Sequence, residues 1–511
     1  MMSHQFKSPH TNSDNNDLGQ KSEPTVTTVF RSIADNINYL EDNFLKSQDL
    51  KNRRFVFNQK ECIAFYFETL VDQDKLQQNF FLQLSEFTSK LNEANYPFRN
   101  LPNTTSFDEV TQKLLEGFSA IYIEGELRVF FIETAANFAR SSSEPENERV
   151  IRGSHQGFVE NLTINLNLIR HRIVDKNLYV EYITLGDRSN TKVALTYIKG
   201  LADESIVETA LTRLKSISTD MVFSTEFLEE FIEDSTASPF PQMLNTERPD
   251  RVEANLMEGK IAILSDGSPT ALLIPSTFFA FYQSPDDYNS RVYVGTFIRV
   301  IRLFSFVVAV TLPAIYIAVI GFHYGVMPQQ LAITVKGSID NIPYPPLIEA
   351  FIMELTIELI REAGIRLPSA IGTTISIVGG LVIGDAIVKA GLVSNTMIVV
   401  VAMTAIACYV VPSSEMSNAV RLLRFPMMFA ASILGFVGIV FGLMALLIHL
   451  CKLESFGSPY FAPIAPFRWH GLKDAILRMP IFWNKNRHIN RYSKRMKKSS
   501  TSREPYPNDK S

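Results

Sequence analysis

The chain has 511 residues, too many for one compact domain, and a net charge of −4 that by itself says little. Its mean hydropathy of +0.05 is only slightly positive, so the apolar residues must be unevenly placed. Its three cysteines, Cys62, Cys408 and Cys451, are far apart, which excludes a disulfide framework and a cysteine metal spacing.

The N-terminal stretch MMSHQFKSPHTNSDNNDLGQKSEP is polar and has neither an apolar core nor a cleavage motif. Residues 1–49 therefore read as a disordered leader, not a secretory signal. Residues 50–140 read as a first α/β subdomain. Ala64–Asp72 (AFYFETLVD) is an apolar strand with an acidic helix cap, followed by the helical pattern DKLQQNFFLQLSEF. Leu115–Gly125 (LEGFSAIYIEG) ends a helix, runs as a strand and closes in a Glu-Gly turn, and Arg128–Thr134 returns. Residues 141–180 form a linker, Ser141–Phe158, and a helix, Leu162–Arg172.

Residues 181–296 repeat the plan. Leu195–Asp203 (LTYIKGLAD) precedes ESIVETALTRLKSI, and Met257–Gly267 (MEGKIAILSDG) precedes Thr270–Ile274. Tyr66 answers Tyr197, Leu70 answers Leu201, and Asp72 answers Asp203. The soluble half therefore reads as two similar α/β subdomains. It contains no GxGxxG, GxxxxGK[ST], serine elbow, HExxH or CxxC, so no enzyme, cofactor or metal site is expected. His155 and His171 stand among arginines and read as solvated surface.

Residues 297–455 read as a transmembrane domain. Four runs are expected to cross: 303–322, 371–391, 394–411 and 425–449. Arg291, Arg299 and Arg302 precede the first, and residues 456–511 form a basic tail containing Trp469 and Trp483. The positive-inside rule puts both flanks in the cytoplasm, with the tail at the lipid interface and no nucleic acid involved. Arg421 and Arg424 then fall on the outer side, against that rule. Pro285–Arg302 joins the second subdomain directly to the first crossing.

Between the first two runs lies Pro345–Pro368 (PPLIEAFIMELTIELIREAGIRLP), a helical pattern. Glu354, Glu358 and Glu362 fall on one face of it. Three carboxylates do not belong in lipid. The helix is either an interfacial amphipathic helix or a re-entrant, pore-facing one, and around an axis the stripe would become acidic rings that favour cations. Asp385 and Lys389 are four apart in a glycine-rich apolar run and read as a neutralising intramembrane pair.

Several of these segments occur together in one family. Glu144–Phe158 (EPENERVIRGSHQGF), ENLTINLNLIRHRI, Lys192–Asp203, Glu247–Arg291, the glutamate helix with REAGIRLP, and Gly457–Phe467 (GSPYFAPIAPF) resemble the GerA-type spore germination proteins. The resemblance covers about 140–470 closely and 50–140 loosely. Ser154-His155-Gln156 departs from the family's common Pro-Arg-Glu. The resemblance implies the A subunit of a nutrient germinant receptor in the inner membrane of the endospore. It implies a transporter-like B subunit and a lipoprotein C subunit as partners, and a homo-oligomeric, ligand-gated cation channel. Non-conducting scaffold, amplifying paralogous channel and secondary transporter remain the alternatives.

Overall fold

The computed structural model describes residues 28–57, 59–77, 101–136, 144–339, 342–366, 380, 382 and 384–480. Helix α1 (Ile33–Asn43) lies within the expected leader 1–49 and corrects it. Ser32 caps the helix, and Ile33, Asn36 and Leu40 turn inward. With Val29 and Phe44, Ile33 and Leu40 join the core of the first sheet. Residues 1–27 lie outside the described residues.

The first sheet contains β1 (Leu50–Phe57), β2 (Lys60–Phe67), β3 (Asn103–Thr104), β4 (Phe118–Ile123) and β5 (Val129–Glu133). Helix α2 (Phe107–Leu115) precedes β4. The strand order is β1-β2-β4-β5-β3, antiparallel throughout. The second sheet contains β6 (Leu178–Leu185), β7 (Thr191–Ile198), β8 (Leu244–Thr246), β9 (Ile261–Ser265) and β10 (Ala271–Ile274). Its order, β6-β7-β9-β10-β8, repeats the first strand for strand. Asp72 and Asp203 occupy equivalent places, each accepting backbone N–H bonds at a helix start. The helical pattern expected after Asp72 lies outside the described residues beyond Gln77.

Helix α3 (Leu162–Arg172) fastens the sheets together. From it Arg170 reaches the first sheet, donating to Asp49 Oδ2 at 2.5 Å and Oδ1 at 2.8 Å. Asn167 donates to the Thr69 carbonyl at 2.7 Å. Three further helices pack around the second sheet: α4 (Glu204–Lys215), α5 (Thr225–Ile232) and α6 (Pro249–Met257).

A short capped helix, α7 (Pro285–Asn289), leads into α8 (Val292–Gly321). Among the described residues α8 is the one helix long and apolar enough to cross a membrane. It starts well before the expected crossing 303–322. There follow α9 (Gln329–Ile339), α10 (Pro346–Arg366), α11 (Asn395–Tyr409), α12 (Ser414–Leu434) and α13 (Phe436–Lys452). Most of the expected crossing 371–391 lies outside the described residues.

The expected crossing 425–449 is not one helix. It breaks at Gly435, whose φ of +60° belongs to the region that favours glycine. A Cβ there would lie 2.9 Å from His323 Cε1. The chain therefore turns back at this point. α12 rises from the soluble half to meet the end of α8, where the His323 and Phe436 rings are 4.9 Å apart. α13 descends again, and His449 meets Ser238 of the soluble half at 2.8 Å. Arg421 and Arg424 thus lie inside an ascending helix, not in an outer loop.

The expected tail 456–511 is also corrected where it is described. β11 (Glu454–Ser455) and β12 (Ser458–Pro459) form a hairpin, and α14 (Trp469–Ala475) follows. Tyr460 is fully buried and donates to the Pro241 carbonyl at 2.7 Å. Its own carbonyl accepts from the Phe278 N–H at 2.9 Å. The aromatic ring and the hydrogen bonds draw this segment onto the second sheet's domain rather than leaving it at an interface. Trp469 is exposed, and the basic residues from Lys485 onward, with Trp483, lie outside the described residues.

Removing one partner of a buried pair strands the other charge, at a cost of about 3–5 kcal/mol. Asp49→Ala and Arg170→Ala should each lower the thermal unfolding temperature of the purified full chain in detergent. The apolar pair Asp49→Leu with Arg170→Met should lose less than either single change. Singles that melt like the parent would remove this pair from its fastening role.

Candidate functional site

Two clusters of charge occupy the helical half. The first is a seam between α10 and α12. Arg424 Nη1 lies 2.6 Å from Glu354 Oε2, and its Nη2 lies 3.4 Å from Glu358 Oε2. Arg421 Nη1 lies 2.6 Å from Glu358 Oε1, with Arg361 Nη1 at 3.4 Å. The expected stripe is therefore graded. Side-chain exposure rises from 0% at Glu354 to 37% at Glu358 and 57% at Glu362. The structure brings Glu354 and Glu358 together with the α12 arginines. It leaves Glu362 to pair with Arg366, its own helix neighbour, at 2.6 Å. Asp385 and Lys389 also pair, at 2.6 Å, on exposed side chains.

The numbering of the contacts gives the directions. Glu354 meets Arg424 and Glu358 meets Arg421, so α10 and α12 run antiparallel. Glu349, nearer the start of α10, meets Ser394 at the start of α11.

The second cluster sits where the soluble half enters α8. Ser284 caps α7, and Asp287 closes a capping box with it. That fixes the Asp287 carboxylate beneath α8. Arg299 Nε donates to Asp287 Oδ2 at 3.3 Å, and Arg302 Nη1 to Oδ1 at 2.7 Å. Arg299 also donates to the Asp474 carbonyl, and its Nη1 lies 3.4 Å from Asp474 Oδ1. Tyr288 donates to Asp474 Oδ1 at 3.0 Å. Arg478 donates to the Tyr288 carbonyl at 2.7 Å. Gly295 makes the fit possible, because a Cβ there would lie 2.6 Å from the Asp287 carbonyl oxygen.

Sequence reasoning treated Arg299 and Arg302 only as flanking charge. Their position at the entry to an apolar run, close after Asp286-Asp287, was the available signal. Nothing near Asp474 in sequence marked it as their partner.

A third contact joins α5 to α12. The Glu229 carboxyl is pushed up to about 9, first by burial and then by the neighbouring charges of Glu415 and Glu233. Beside it, Asn245 donates to Glu226 Oε1 at 2.6 Å.

The sequence segments singled out above are one another's partners. Glu148 of the linker pairs with Arg251. Arg248, fully buried, donates to the carbonyls of Glu148 at 3.1 Å and Ser154 at 2.8 Å. Glu247 Oε2 accepts the Glu146 N–H at 2.8 Å. Phe461 packs its ring 5.5 Å from Phe278. His155 meets Glu144 at 2.9 Å on the surface.

Two antiparallel α/β sheets fastened to an apolar helical half define the class of protein. Residues 38–489 match the Bacillus/Clostridium GerA spore germination protein family. Spore germination protein KA of Bacillus subtilis is 36% identical over 472 residues, which cover 90% of this chain and 86% of that protein. The uncharacterized membrane protein YfkQ of Bacillus subtilis is 39% identical over 486 residues, 94% of each chain. The crystal structure of the N-terminal domain of the A subunit of the Bacillus megaterium spore germinant receptor GerK3 aligns with a TM-score of 0.39 and 28% identity. That alignment covers 50% of this chain and 98% of that one. The chain belongs to the GerA family of spore germination proteins.

Gly295→Ala should force the Asp287 carbonyl away from α8, at a cost of about 1–3 kcal/mol for an overpacked contact. Limited proteolysis of the full chain should then cut faster around residues 285–295; an unchanged cleavage rate would show that the contact yields freely. Glu229 gives a pH dependence of defined sign. Its folded value of about 9 lies above the ordinary one of about 4.3. Its contribution is thus fully present below the ordinary value and is lost as pH rises through about 9. The melting temperature should fall across that window, and Glu229→Gln should flatten the fall. A parallel curve for the variant would assign the dependence elsewhere.

Proposed function

We propose that this chain is the A subunit of a spore nutrient germinant receptor, acting in the inner membrane of the endospore. In this reading it works beside a transporter-like B subunit and a lipoprotein C subunit, and several copies surround a cation path. The reading gives it no catalytic role.

The seam between α10 and α12 is the observation that carries the channel part. Two carboxylates of the stripe, Glu354 and Glu358, are met by arginines of a different helix. Moving α12 relative to α10 would therefore unmask negative charge, and rings of negative charge favour cations. The buried pair Glu354–Arg424 resists that motion, while the half-exposed Glu358 and the exposed Glu362 accept water readily. The soluble half would drive it through α8, with nutrient binding shifting a population of two arrangements.

The likeness to YfkQ, a membrane protein, accommodates a second reading, an amplifying paralogous channel. Deleting the gene separates the two. Loss of the response to one nutrient supports the receptor subunit; a slowed response to every nutrient supports the amplifier. A non-conducting scaffold would give no ion flux from the purified protein in liposomes.

The pore assignment is tested on the accessible part of the stripe. Spores carrying Glu358→Gln with Glu362→Gln should release potassium several-fold more slowly after nutrient addition, at normal protein level. Unchanged release and unchanged ion preference would sink the pore role of these residues.

A further inference from the structure

Four glutamates project from α10, and three of them have arginine partners. Glu349, the fourth, has no ion-pair partner among the described residues, yet it is fully buried. Its two oxygens differ sharply. Oε1 accepts from the Ser394 N–H at 2.6 Å and also from the Ser394 hydroxyl. Oε2 is buried and has no hydrogen-bond partner among the described residues.

Hydroxyl groups carried by α8, α9 and α11 lie near Ser394, the partner of Oε1. Tyr316 of α8 meets Ser394 Oγ at 3.1 Å. Thr396, in the first turn of α11, meets Ser338 of α9 at 3.0 Å. The start of α11 adds a favourable dipole toward the anion, but only on the Oε1 side. A buried carboxylate without a counter-charge carries a desolvation cost that nothing offsets. An oxygen-only site of this kind suits a hard cation. The charge count sets its valence: one carboxylate is neutralised by a single positive charge, and a divalent ion would leave an excess.

We propose that Glu349, Tyr316 and Ser394, with Thr396 beside them, bind one dehydrated monovalent cation through Glu349 Oε2 and the neighbouring hydroxyl oxygens. The site lies at the end of the bundle away from the soluble half, because Tyr316 is near the end of α8 and Ser394 begins the descending helix α11. The ion would tie α8, α10 and α11 together there, as the arginine seam ties α10 to α12 closer to the soluble half. This inference stands apart from the channel reading. It concerns an equilibrium site, so absence of flux in liposomes would leave it untouched.

The test uses the purified full chain in detergent near neutral pH, with Rb⁺ as the probe. Equilibrium dialysis should find one saturable Rb⁺ per chain, displaced by K⁺. The melting temperature should be higher in RbCl than in choline chloride of equal ionic strength, because a ligand that binds only the folded state stabilises it. Glu349→Gln keeps an acceptor for Ser394 but removes the charge, and should abolish both effects. Tyr316→Phe keeps the ring and removes one oxygen, and should weaken Rb⁺ binding several-fold; it serves also if Glu349→Gln does not fold. Equal Rb⁺ binding in the parent and both variants would overturn the proposal. So would a parent that melts alike in RbCl and in choline chloride of equal ionic strength.

Discussion

The join between the two halves depends on one buried guanidinium. Arg299 has no exposed surface, although it lies in the opening turns of a long apolar helix. A charge in that position is tolerated only when it is paired and hydrogen-bonded. Asp287 supplies one partner from the capped helix before α8, and Asp474 supplies the other from α14, which follows the helical bundle. The same guanidinium therefore holds the entry into the helical half and the exit from it. Arg302 doubles the bond to Asp287, and Arg478 closes the assembly onto the Tyr288 carbonyl. The start of α8 cannot slide against the soluble half without stranding at least one of these charges.

That constraint gives the seam its meaning. An exposed ion pair contributes little, commonly under about 1 kcal/mol, because water competes for both partners. Glu362 with Arg366 is of this kind. Glu354 with Arg424 is the opposite case, since neither side chain has appreciable exposure. Its desolvation is a standing cost that the pairing offsets only while the geometry holds. Such a pair is a poor source of net stability and a strong specifier of arrangement, for separating it leaves two buried charges. Glu358 sits between the extremes, shared among three arginines and half open. The stripe is thus anchored at one end and progressively looser toward the other.

Much of this was readable from local pattern. The acidic caps Asp72 and Asp203 and the paired turns exposed the repeated plan of the two sheets, because hydrophobic alternation and capping are short-range signals. The glutamate spacing placed three carboxylates on one face of α10. What pattern could not provide was the partner of each charge. Arg421 and Arg424 looked like an outer loop because hydropathy runs smoothly through Gly435, and a windowed reading does not see a backbone that needs positive φ. Asp474 and Arg299 are far apart in sequence, and only the fold brings them together. Glu349 carries no such signal in its sequence, since its lack of an ion-pair partner among the described residues is a fact of three-dimensional packing. The leader was misread over Ile33–Asn43 because a mixed-polarity helix looks like polar chain until something covers its apolar stripe.

The ties between the halves are all at one end of the bundle. Arg299 binds the start of α8, the Glu229 and Glu415 carboxyls face each other at the start of α12, and His449 at the end of α13 meets Ser238. α8 and α13 are therefore held to the second sheet's domain, and α12 starts beside it. α10 packs against α8, pairs with the arginines of α12 and, at its own start, meets Ser394 of α11. A displacement of the soluble half would therefore reach α10 through α8 and through the seam. The seam is where that motion meets charge, at Glu354 and Glu358. The surroundings of these two glutamates would change, because their partners sit on a different helix, one that starts beside the soluble half.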